Sequence, residues 1–237
     1  MGGVMVRVKF FAILKNLAGK EEAQFDAGQG IPLKKLTELI DKDFPKVGEM
    51  IKNKKVLISV NQEIGTEETI VKNGDEVGIL PPFAGGAGGD TMAKTKETSM
   101  VKIQKEDFSV DEEIARVKAS SSNIGGIVVF LGTGRGTSRG RDIKKLDFEH
   151  YPGMAEKKLL EIREKALKDF DIIEVNMVHR ISEIEIGENI VLIVVGAAHR
   201  ADAFKACKFC IDELKRITPI WKKETTPQGE IWVEEHP

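Results

Sequence analysis

A proline- and glycine-rich stretch at residues 81–90, Pro-Pro-Phe-Ala-Gly-Gly-Ala-Gly-Gly-Asp, most strongly constrains how this chain can fold. Glycine pairs bury no side chain and lose much conformational freedom on folding, so they are kept where a chain must bend or enter a narrow space. Patterned sequence lies on both sides of the stretch. We therefore expect two domains, joined either by a plain flexible linker or by a tail that enters an active site.

Before this stretch, the hydrophobic pattern predicts a small α+β domain. Alternating apolar residues indicate a strand at 4–11, and a return strand at 23–26 follows a turn at 17–20. Pro32 opens a helix with an apolar stripe, and further strands are predicted at 56–61 and 76–80. The order strand, strand, helix, strand, strand and Gly-Gly tail is that of a β-grasp domain, although the pattern alone leaves other small α+β folds open.

Three motifs in this segment resemble the small, sulfur-carrying subunit of molybdopterin synthase: Phe-Phe-Ala at 10–12, Asn-Gly-Asp-Glu-Val at 73–77 and Pro-Pro-Phe-Ala-Gly-Gly at 81–86. The resemblance implies a ubiquitin-like β-grasp domain at residues 1–86. It also implies that an E1-like enzyme adenylates Gly86, which then becomes a C-terminal thiocarboxylate. Glycines have no Cβ, so such a tail could enter a channel too narrow for side chains.

The connection at residues 87–100 is polar and lacks periodicity, which predicts a flexible linker. A thiocarboxylate needs a free C-terminus, whereas Gly86 is followed by Ala87 in a continuous chain. The resemblance therefore predicts cleavage after Gly86, with Gly89 as a second candidate cut site. An uncleaved precursor or inactive state is the alternative.

The second segment, residues 101–237, is predicted to alternate strands and helices. Ser109 with Glu112 three positions later is a capping-box pattern that marks a helix start. Apolar runs predict buried strands at 126–132, 172–178 and 188–196, and apolar stripes predict helices at 155–170 and 203–216.

Basic residues follow two of these strands. The loop at 133–141 contains glycines, hydroxyls and three arginines, and it is either an anion-binding loop or an exposed basic loop. His199 and Arg200 follow a buried strand, a setting for anion binding or proton transfer in which an ordinary cap or salt bridge is more common. Lys215 and Lys222 come next, and grouping with other cations can lower an amine pKa and prepare it for catalysis.

Cys207 and Cys210 form a C-x-x-C pattern, which raises the question of metal or redox chemistry. A structural zinc site would need a second cysteine pair, and these are the chain's two cysteines. Both fall on the apolar stripe of the predicted helix at 203–216. We expect them to be small buried apolar groups.

Several motifs of the second segment resemble the large, catalytic subunit of molybdopterin synthase. They are Phe-Glu-His-Tyr-Pro-Gly-Met at 148–154, Val-His-Arg-Ile at 178–181, Ala-His-Arg at 198–200, Pro-Ile-Trp-Lys-Lys-Glu at 219–224 and Trp-Val-Glu at 232–234. The resemblance implies an α/β hammerhead domain at 101–237. It further implies a homodimer, formed through this domain, whose active sites draw on both large subunits.

Site residues are carried over by the same resemblance. Lys215 and Lys222 match the catalytic lysines of the family, and Arg135, His199 and Arg200 match its anion-pocket residues. The family often has another basic residue just after Trp-Val-Glu, where this chain continues with Glu235 and His236.

Together the two resemblances predict a fused molybdopterin synthase. It would transfer sulfur from the Gly86 thiocarboxylate to cyclic pyranopterin monophosphate, forming the dithiolene of molybdopterin, without a metal or other cofactor. A non-catalytic sulfur carrier tethered to a partner-binding domain is one alternative. Another is an active second domain that the first domain only caps.

Composition argues against two other function classes and indicates a compartment. The net charge of −2 does not favour binding to nucleic acid or an anionic membrane. The chain contains no run of about 18 apolar residues, so no membrane span is expected. Lys9 and Lys15 interrupt the apolar residues near the N-terminus, so we expect no signal peptide. Two cysteines then fit a reducing cytoplasm.

Overall fold

The computed structural model describes residues 5–81 and 100–233 of the 237-residue chain. These residues form two units, one before and one after the intervening stretch. Gly86 and residues 87–99 of the predicted linker, which include Gly89, lie outside the described residues, as do Glu235 and His236. Within the two described ranges, no helix is both long enough and apolar enough to cross a bilayer.

The first unit contains seven strands and three helices within residues 5–81. In chain order they are β1 Val6–Phe10, α1 Ile13–Ala18, β2 Glu22–Phe25, β3 Ile31–Pro32, α2 Leu33–Asp43, α3 Pro45–Lys52, β4 Leu57–Val60, β5 Glu63–Ile64, β6 Ile70–Val71 and β7 Glu76–Leu80. Five strands form a sheet in the order β2-β1-β7-β4-β5. The neighbours β1 and β7 run parallel, while β2 and β4 pair antiparallel on either side of them.

Side-chain alternation explains how this sheet is covered. Val6, Val8 and Phe10 point to the buried face of β1, and α2 packs Leu36 and Ile40 into the same core. A parallel central pair with antiparallel neighbours and a helix across one face is the β-grasp arrangement. The structure thus confirms the predicted fold class of the first segment.

Two helices of the first unit, α1 and α3, were not predicted from the sequence. The pattern suggested a turn at 17–20, whereas Leu17 and Ala18 form the end of α1. Gly19 then ends the helix with φ 69°, a left-handed conformation that glycine adopts without strain from a Cβ. The helix is only six residues long, so it shows too little periodicity to be found from sequence.

The second unit contains ten strands and three helices within residues 100–233. In chain order they are β8 Val101–Gln104, α4 Val110–Ala119, β9 Gly126–Thr133, β10 Thr137–Ser138, β11 Arg141–Asp142, β12 Lys145–His150, α5 Met154–Asp169, β13 Glu174–Arg180, β14 Ser182–Glu185, β15 Asn189–Ala197, α6 Arg200–Ile217, β16 Ile220–Thr226 and β17 Gly229–Trp232.

Two four-stranded sheets organise this unit. The first has the order β8-β13-β15-β9, and the second has the order β14-β12-β16-β17. Helices α5 and α6 bury one face of the first sheet, and α4 packs on its other face. The chain passes from the first sheet to the second after β13, so side chains from both sheets meet near that crossing. This mixed α/β architecture confirms the fold class predicted for the second segment.

The predicted start of α4 and the predicted buried face of α6 are also confirmed. Ser109 caps α4, because its Oγ accepts a hydrogen bond of 3.3 Å from the backbone N–H of Glu112. On α6, Cys207, Cys210 and Leu214 are buried against the sheet, as their spacing predicted.

Candidate active site

A cavity of about 340 Å³ lies where the two sheets of the second unit meet the C-terminal end of α6. Its apolar wall includes Phe130, Phe148, Ile190 and Leu214. Seven polar or charged side chains complete the lining: Thr133, Arg135, Ser138, His179, Lys215, Lys222 and Glu224. Three of the five predicted side chains in the second segment, Arg135, Lys215 and Lys222, are therefore brought together.

Strand alternation determines which of two adjacent lysines reaches this cavity. In β16, Lys222 and Glu224 line the cavity, whereas Lys223 faces the opposite side of the sheet. There the Lys223 ammonium lies 3.4 Å from Asp147 and 3.0 Å from Glu230. Successive side chains of a strand point to opposite faces, so Lys222 and Lys223 have different environments despite being neighbours.

Glu224 fixes the position of Lys222. The Lys222 Nζ lies 2.9 Å from Glu224 Oε1, and an Nη2 atom of Arg141 lies 3.4 Å from Glu224 Oε2. The Glu224 side chain is 1% exposed. Burial alone would raise the pKa of Glu224, but the hydrogen bond and charge of Lys222, together with Ser138 and Arg141, lower it. Glu224 is therefore an ionised, buried anchor for the cations around it.

Lys215 enters the cavity from a different element. It lies in the last turn of α6, one residue after the buried Leu214, and is itself half-buried. The negative end of the helix dipole favours a cation at this position. Leu214 packs into the core against the sheet and so fixes the rotation of α6 about its own axis. This rotation places Lys215 at the rim of the cavity.

The arginine loop is tied to the turn between β14 and β15. The backbone N–H of Gly134 donates to Glu188 O at 2.9 Å, and Gly134 O accepts from the N–H of Gly187 at 2.7 Å. A Cβ at Gly134 would lie only 2.7 Å from the Glu185 carbonyl oxygen, so this close approach requires glycine. The next residue, Arg135, lines the cavity. Anion binding by this loop remains a prediction, and the position of Arg135 at the cavity supports it.

His199 and Arg200 lie at another place in the unit. His199 occupies the N-cap position of α6, Arg200 is the first residue of that helix, and both are exposed. The cavity reaches β15 at Val191, six residues before Ala197. At about 3.3 Å per residue this separates the two positions by about 20 Å. Within one chain, the described residues do not bring this pair to the cavity.

Two titratable residues of the lining were not among the predicted site residues. His179 and Glu224 lie within the stretches 178–181 and 219–224, so the resemblance contained the signal that could have identified them. Glu224 was overlooked because a glutamate beside two lysines is typical of a solvated surface. Its burial depends on the pairing of β16 with β12 and β17, which no local pattern reveals.

The cysteine pair lies in the core beneath α6. Cys207 and Cys210 are free and buried, and desolvation raises the pKa of these thiols to about 11 and about 12, respectively. Both thiols are thus protonated and unreactive at neutral pH. Among the described residues, no group of three His, Cys, Asp or Glu side chains is arranged to hold a metal ion.

The fold and site define a class of protein: a β-grasp domain joined in one chain to an α/β domain with a cation-lined cavity suited to a small anionic ligand. Residues 103–217 match the family described as MoaE protein, and residues 8–86 match the ThiS family. The molybdopterin synthase catalytic subunit of Pyrococcus abyssi is 48% identical over 143 residues, covering 60% of this chain and 94% of that protein.

Further relatives agree with this match. The catalytic subunit of Escherichia coli is 41% identical over 143 residues, covering 60% of this chain and 92% of that protein. The crystal structure of molybdopterin synthase from Staphylococcus aureus aligns with a TM-score of 0.53 and 34% identity, covering 56% of this chain and 96% of that chain. The chain belongs to the molybdopterin synthase catalytic subunit family, and it carries a ThiS-family domain ahead of the family domain.

Proposed function

We propose that this chain is a molybdopterin synthase with carrier and catalyst in one polypeptide. Sulfur passes from a thiocarboxylate at Gly86 to cyclic pyranopterin monophosphate and forms the dithiolene of molybdopterin. The observation that carries this proposal is the convergence of Arg135, Lys215 and Lys222 on one cavity of a family member. The ThiS-family match ends at residue 86, which supports Gly86 as the carrier terminus.

The cavity suits a phosphorylated ring system. Its charged lining consists of three cations and one carboxylate, a formal excess of two positive charges that favours a phosphate. The planar guanidinium of Arg135 can bind phosphate oxygens in a bidentate manner. Phe130 and Phe148 supply flat apolar surface for a pterin. The volume of about 340 Å³ lies within the range of small-molecule sites, about 300–1,000 Å³.

The roles of the cations follow from the charges that the reaction develops. The thiocarboxylate sulfur attacks a carbon of the pyranopterin, and an oxygen of the cyclic phosphate leaves with its electron pair. Lys215 and Lys222 assist this attack and ring opening, and Arg135 stabilises the phosphate charge. Water then cleaves the acyl–sulfur bond, so that sulfur stays on the pterin and Gly86 leaves as a carboxylate. A second thiocarboxylate supplies the second sulfur to the neighbouring carbon, whose oxygen leaves as water, and hydrolysis of the second acyl–sulfur bond releases the carrier as a carboxylate.

A second copy of the chain would complete this site with His199 and Arg200. Strand β9 lies at the edge of its sheet, and its Val129 and Leu131 are 38% and 39% exposed. Edge strands offer unpaired N–H and C=O groups to a partner strand. We therefore propose a homodimer in which β9 pairs antiparallel with β9 of the partner.

This pairing explains the separation of the predicted site residues. About a two-fold axis, the start of one β9 lies beside the end of the other. Gly126, at the start, is adjacent to Arg200: a Cβ placed on Gly126 would lie 3.9 Å from the Arg200 Cα. Thr133, at the end, lines the cavity two residues before Arg135. His199 and Arg200 of one copy would thus approach the cavity of the other.

Mixed dimers test the shared site. A Lys215→Ala variant and an Arg200→Ala variant should each be weakly active, and mixing them should form some dimers with one intact site. Recovery of activity up to about a quarter of the wild-type value is expected if Arg200 of one copy completes the site that contains Lys215 of the other. Activity that stays at the level of the single variants, in mixtures shown to contain heterodimers, would contradict the shared site.

Activity of the single chain tests the proposed function itself. Full-length protein receives cyclic pyranopterin monophosphate and a thiocarboxylate-terminated β-grasp carrier, and dithiolene formation is measured. Removing one group that stabilises transition-state charge costs about 100-fold or more. We expect this loss for Lys222→Ala and little change for its neighbour Lys223→Ala. Equal activity of the two variants would contradict the lysine assignment.

The alternative is a sulfur carrier tethered to a non-catalytic binding domain. It predicts that Lys215, Lys222, His199 and Arg200 do not converge on one pocket. Within one chain Lys215 and Lys222 line the same cavity, so the position of His199 and Arg200 in the assembled protein discriminates between the two functions. Sulfur loading of Gly86 also requires an E1-like adenylating partner, and we propose that such an enzyme acts on the β-grasp domain in the cytoplasm. Loading without any dithiolene formation would favour the carrier alternative.

A further inference from the structure

Phe204 is the most exposed large apolar side chain among the described residues, with 62% of the residue exposed. It lies on α6, four residues after Arg200, and the proposed reaction gives it no role. Residues four apart share one side of a helix, so Phe204 faces the same way as Arg200. Ile211 and Lys215 lie on this side too, because a separation of 11 residues is close to three full turns. One side of α6 therefore carries both the exposed aromatic ring and two residues that line the cavity.

Apolar exposure in the second unit is concentrated along the edge strand β9. Five large apolar side chains are exposed among the described residues of this unit, and three of them, Val129, Leu131 and Phe204, flank β9. Val128 and Phe130 pack into the core beneath α5 and α6, so the alternating Val129 and Leu131 project from the opposite face of the sheet. Both faces of one open edge are thus apolar, which is typical of a surface that another protein chain covers.

The position of α6 over the sheet determines how closely two copies of this helix would approach each other. Helix α6 packs over both β15 and β9, so its axis lies roughly midway between these two strands. Neighbouring strands are about 4.8 Å apart. In the proposed antiparallel pair of β9 strands, the two-fold axis lies half a strand spacing beyond β9, and each α6 axis is then about 5 Å from it. The two copies of α6 would be about 10 Å apart, which is the separation of helices in contact.

Strand β9 and helix α6 run in the same direction. Arg200, at the start of α6, is adjacent to Gly126, at the start of β9. Lys215, near the end of α6, and Thr133, at the end of β9, both line the cavity. Each copy thus has its exposed basic pair near one end of β9 and its cavity near the other.

Phe204 of one copy would lie level with Ile211 of the partner copy. From Arg200, at about 1.5 Å per residue, Phe204 is about 6 Å along α6 and Ile211 is about 16 Å along it. The eight residues of β9 span about 23 Å. The two-fold axis reverses this scale, so a side chain about 6 Å from its own start lies about 17 Å along the partner. Because Ile211 lines the cavity, the ring of Phe204 would reach the apolar wall of the partner's cavity.

We propose that Phe204 of one copy packs beside Ile211 of the other and extends the apolar wall of that copy's cavity. Each cavity then receives an aromatic ring from the neighbouring copy, together with His199 and Arg200. The ring adds apolar contact for the pterin and excludes water beside the cations, which strengthens their attraction for the phosphate. This inference rests on the proposed function and its homodimer, since it takes the pterin as the ligand and the second copy as the occupant of the β9 edge.

Single substitutions measure what Phe204 contributes to substrate binding. At protein concentrations where sedimentation shows dimers, Phe204→Ala should raise KM for cyclic pyranopterin monophosphate about tenfold at unchanged kcat, because apolar contact is lost. Phe204→Leu keeps an apolar side chain and should stay within about threefold of wild type. Ile231→Ala is the matched control, since Ile231 is 36% exposed on the other edge strand β17 and should leave KM unchanged. A KM for Phe204→Ala equal to that of the control, or a change only in the KM for the thiocarboxylate carrier, would overturn the proposal.

Mixed dimers identify the copy in which Phe204 acts, with activity measured at substrate concentrations far below KM. When Phe204→Ala is mixed with Lys215→Ala, the cavity that keeps Lys215 receives an intact Phe204, so activity should recover to about a quarter of the wild-type value. When Phe204→Ala is mixed with Arg200→Ala, each cavity of a heterodimer receives one defective residue, and activity should stay near about a twentieth. Recovery in the second mixture instead of the first would place Phe204 in the cavity of its own chain. Either that result or recovery in neither mixture would overturn the proposal.

Two reference measurements separate this inference from the proposals on which it rests. Lack of recovery when Lys215→Ala is mixed with Arg200→Ala would reject the shared site, and the inference about Phe204 with it. Absence of dithiolene formation by the wild-type chain would reject the proposed function. The dissociation constant of cyclic pyranopterin monophosphate for the full-length dimer then decides the role of Phe204. Binding about tenfold weaker for Phe204→Ala than for Ile231→Ala is expected, and equal binding would overturn the proposal.

Discussion

Glu224→Gln is the substitution whose effect the structure defines most closely. The change keeps the shape of the side chain and removes the negative charge that Lys222 and Arg141 share. Breaking a fully buried ion pair costs about 3–5 kcal/mol, whereas an exposed pair contributes about 0.2–1 kcal/mol. Glu224 is 1% exposed, but Lys222 and Arg141 are 24% and 35% exposed and can regain water. We therefore expect a loss of about 1–3 kcal/mol in the free energy of unfolding.

The pH dependence of this loss has a definite sign. The folded-state pKa of Glu224 is lowered from its ordinary value of 4.5, so its contribution is fully present above that pH. It disappears as the pH falls through the lowered pKa of the folded state. The difference between wild type and Glu224→Gln should thus be constant near neutral pH and shrink below pH 4.5.

Urea unfolding monitored by tryptophan fluorescence measures this difference. Both tryptophans of the chain, Trp221 and Trp232, are in the second unit, so the signal reports on the unit that contains Glu224. Glu230→Gln is the matched control, because Glu230 is 59% exposed and pairs with Lys223 on the outer face of the sheet. The reasoning would be refuted if the two variants lost equal stability, or if the loss from Glu224→Gln persisted unchanged at acidic pH.

Three further predictions follow from the site and its surroundings. Arg135→Ala should raise KM for cyclic pyranopterin monophosphate by about 10- to 100-fold, because it removes a charge-assisted contact. The control Arg139→Ala, at the exposed loop tip, should match wild type in the same kinetic assay. The pKa values of Cys207 and Cys210 are raised to about 11 and about 12, so both thiols should resist iodoacetamide at neutral pH and react once urea unfolds the chain. Rapid alkylation of the folded protein would contradict their burial. Gly134→Ala should lower the free energy of unfolding by about 1–3 kcal/mol and slow dithiolene formation, because the added Cβ would collide with a carbonyl oxygen of β14. Unchanged stability and an unchanged rate would show that the loop can shift freely.

Local sequence patterns were sufficient to predict a helix or strand where the segment buries one apolar face. The helix stripe with Cys207 and Leu214 was predictable because inward positions carry apolar side chains. The apolar run at 126–132 located strand β9, but the prediction of a buried strand was wrong, since β9 lies at the edge of its sheet. Strand β16 was not, since its inward residues include Lys222 and Glu224. A strand that builds a charged site loses the alternation by which strands are recognised. The short helix α1 was missed for the different reason of length.

The candidate site likewise combines residues that were predicted from sequence with residues that only the structure identified. Arg135, Lys215 and Lys222 were named from sequence, and the pairing of strands distant in the chain places them on one cavity. His179 and Glu224 required the structure, because their roles depend on burial and on partners from other strands. In the proposed homodimer, the contact of His199 and Arg200 with the cavity would come from a partner copy, and no pattern within one chain specifies that contact. Their assignment to the site remains a prediction.

Intact mass spectrometry of the protein from its native cell tests the central claim most directly. The claim requires an N-terminal fragment that ends at Gly86 and is heavier by the exchange of one oxygen for one sulfur, together with a C-terminal fragment that begins at Ala87. A Gly86→Ala variant expressed in the same cell should lack the sulfur-containing species. Uncleaved chains alone, with no fragment carrying sulfur at Gly86 or at Gly89, would contradict the account.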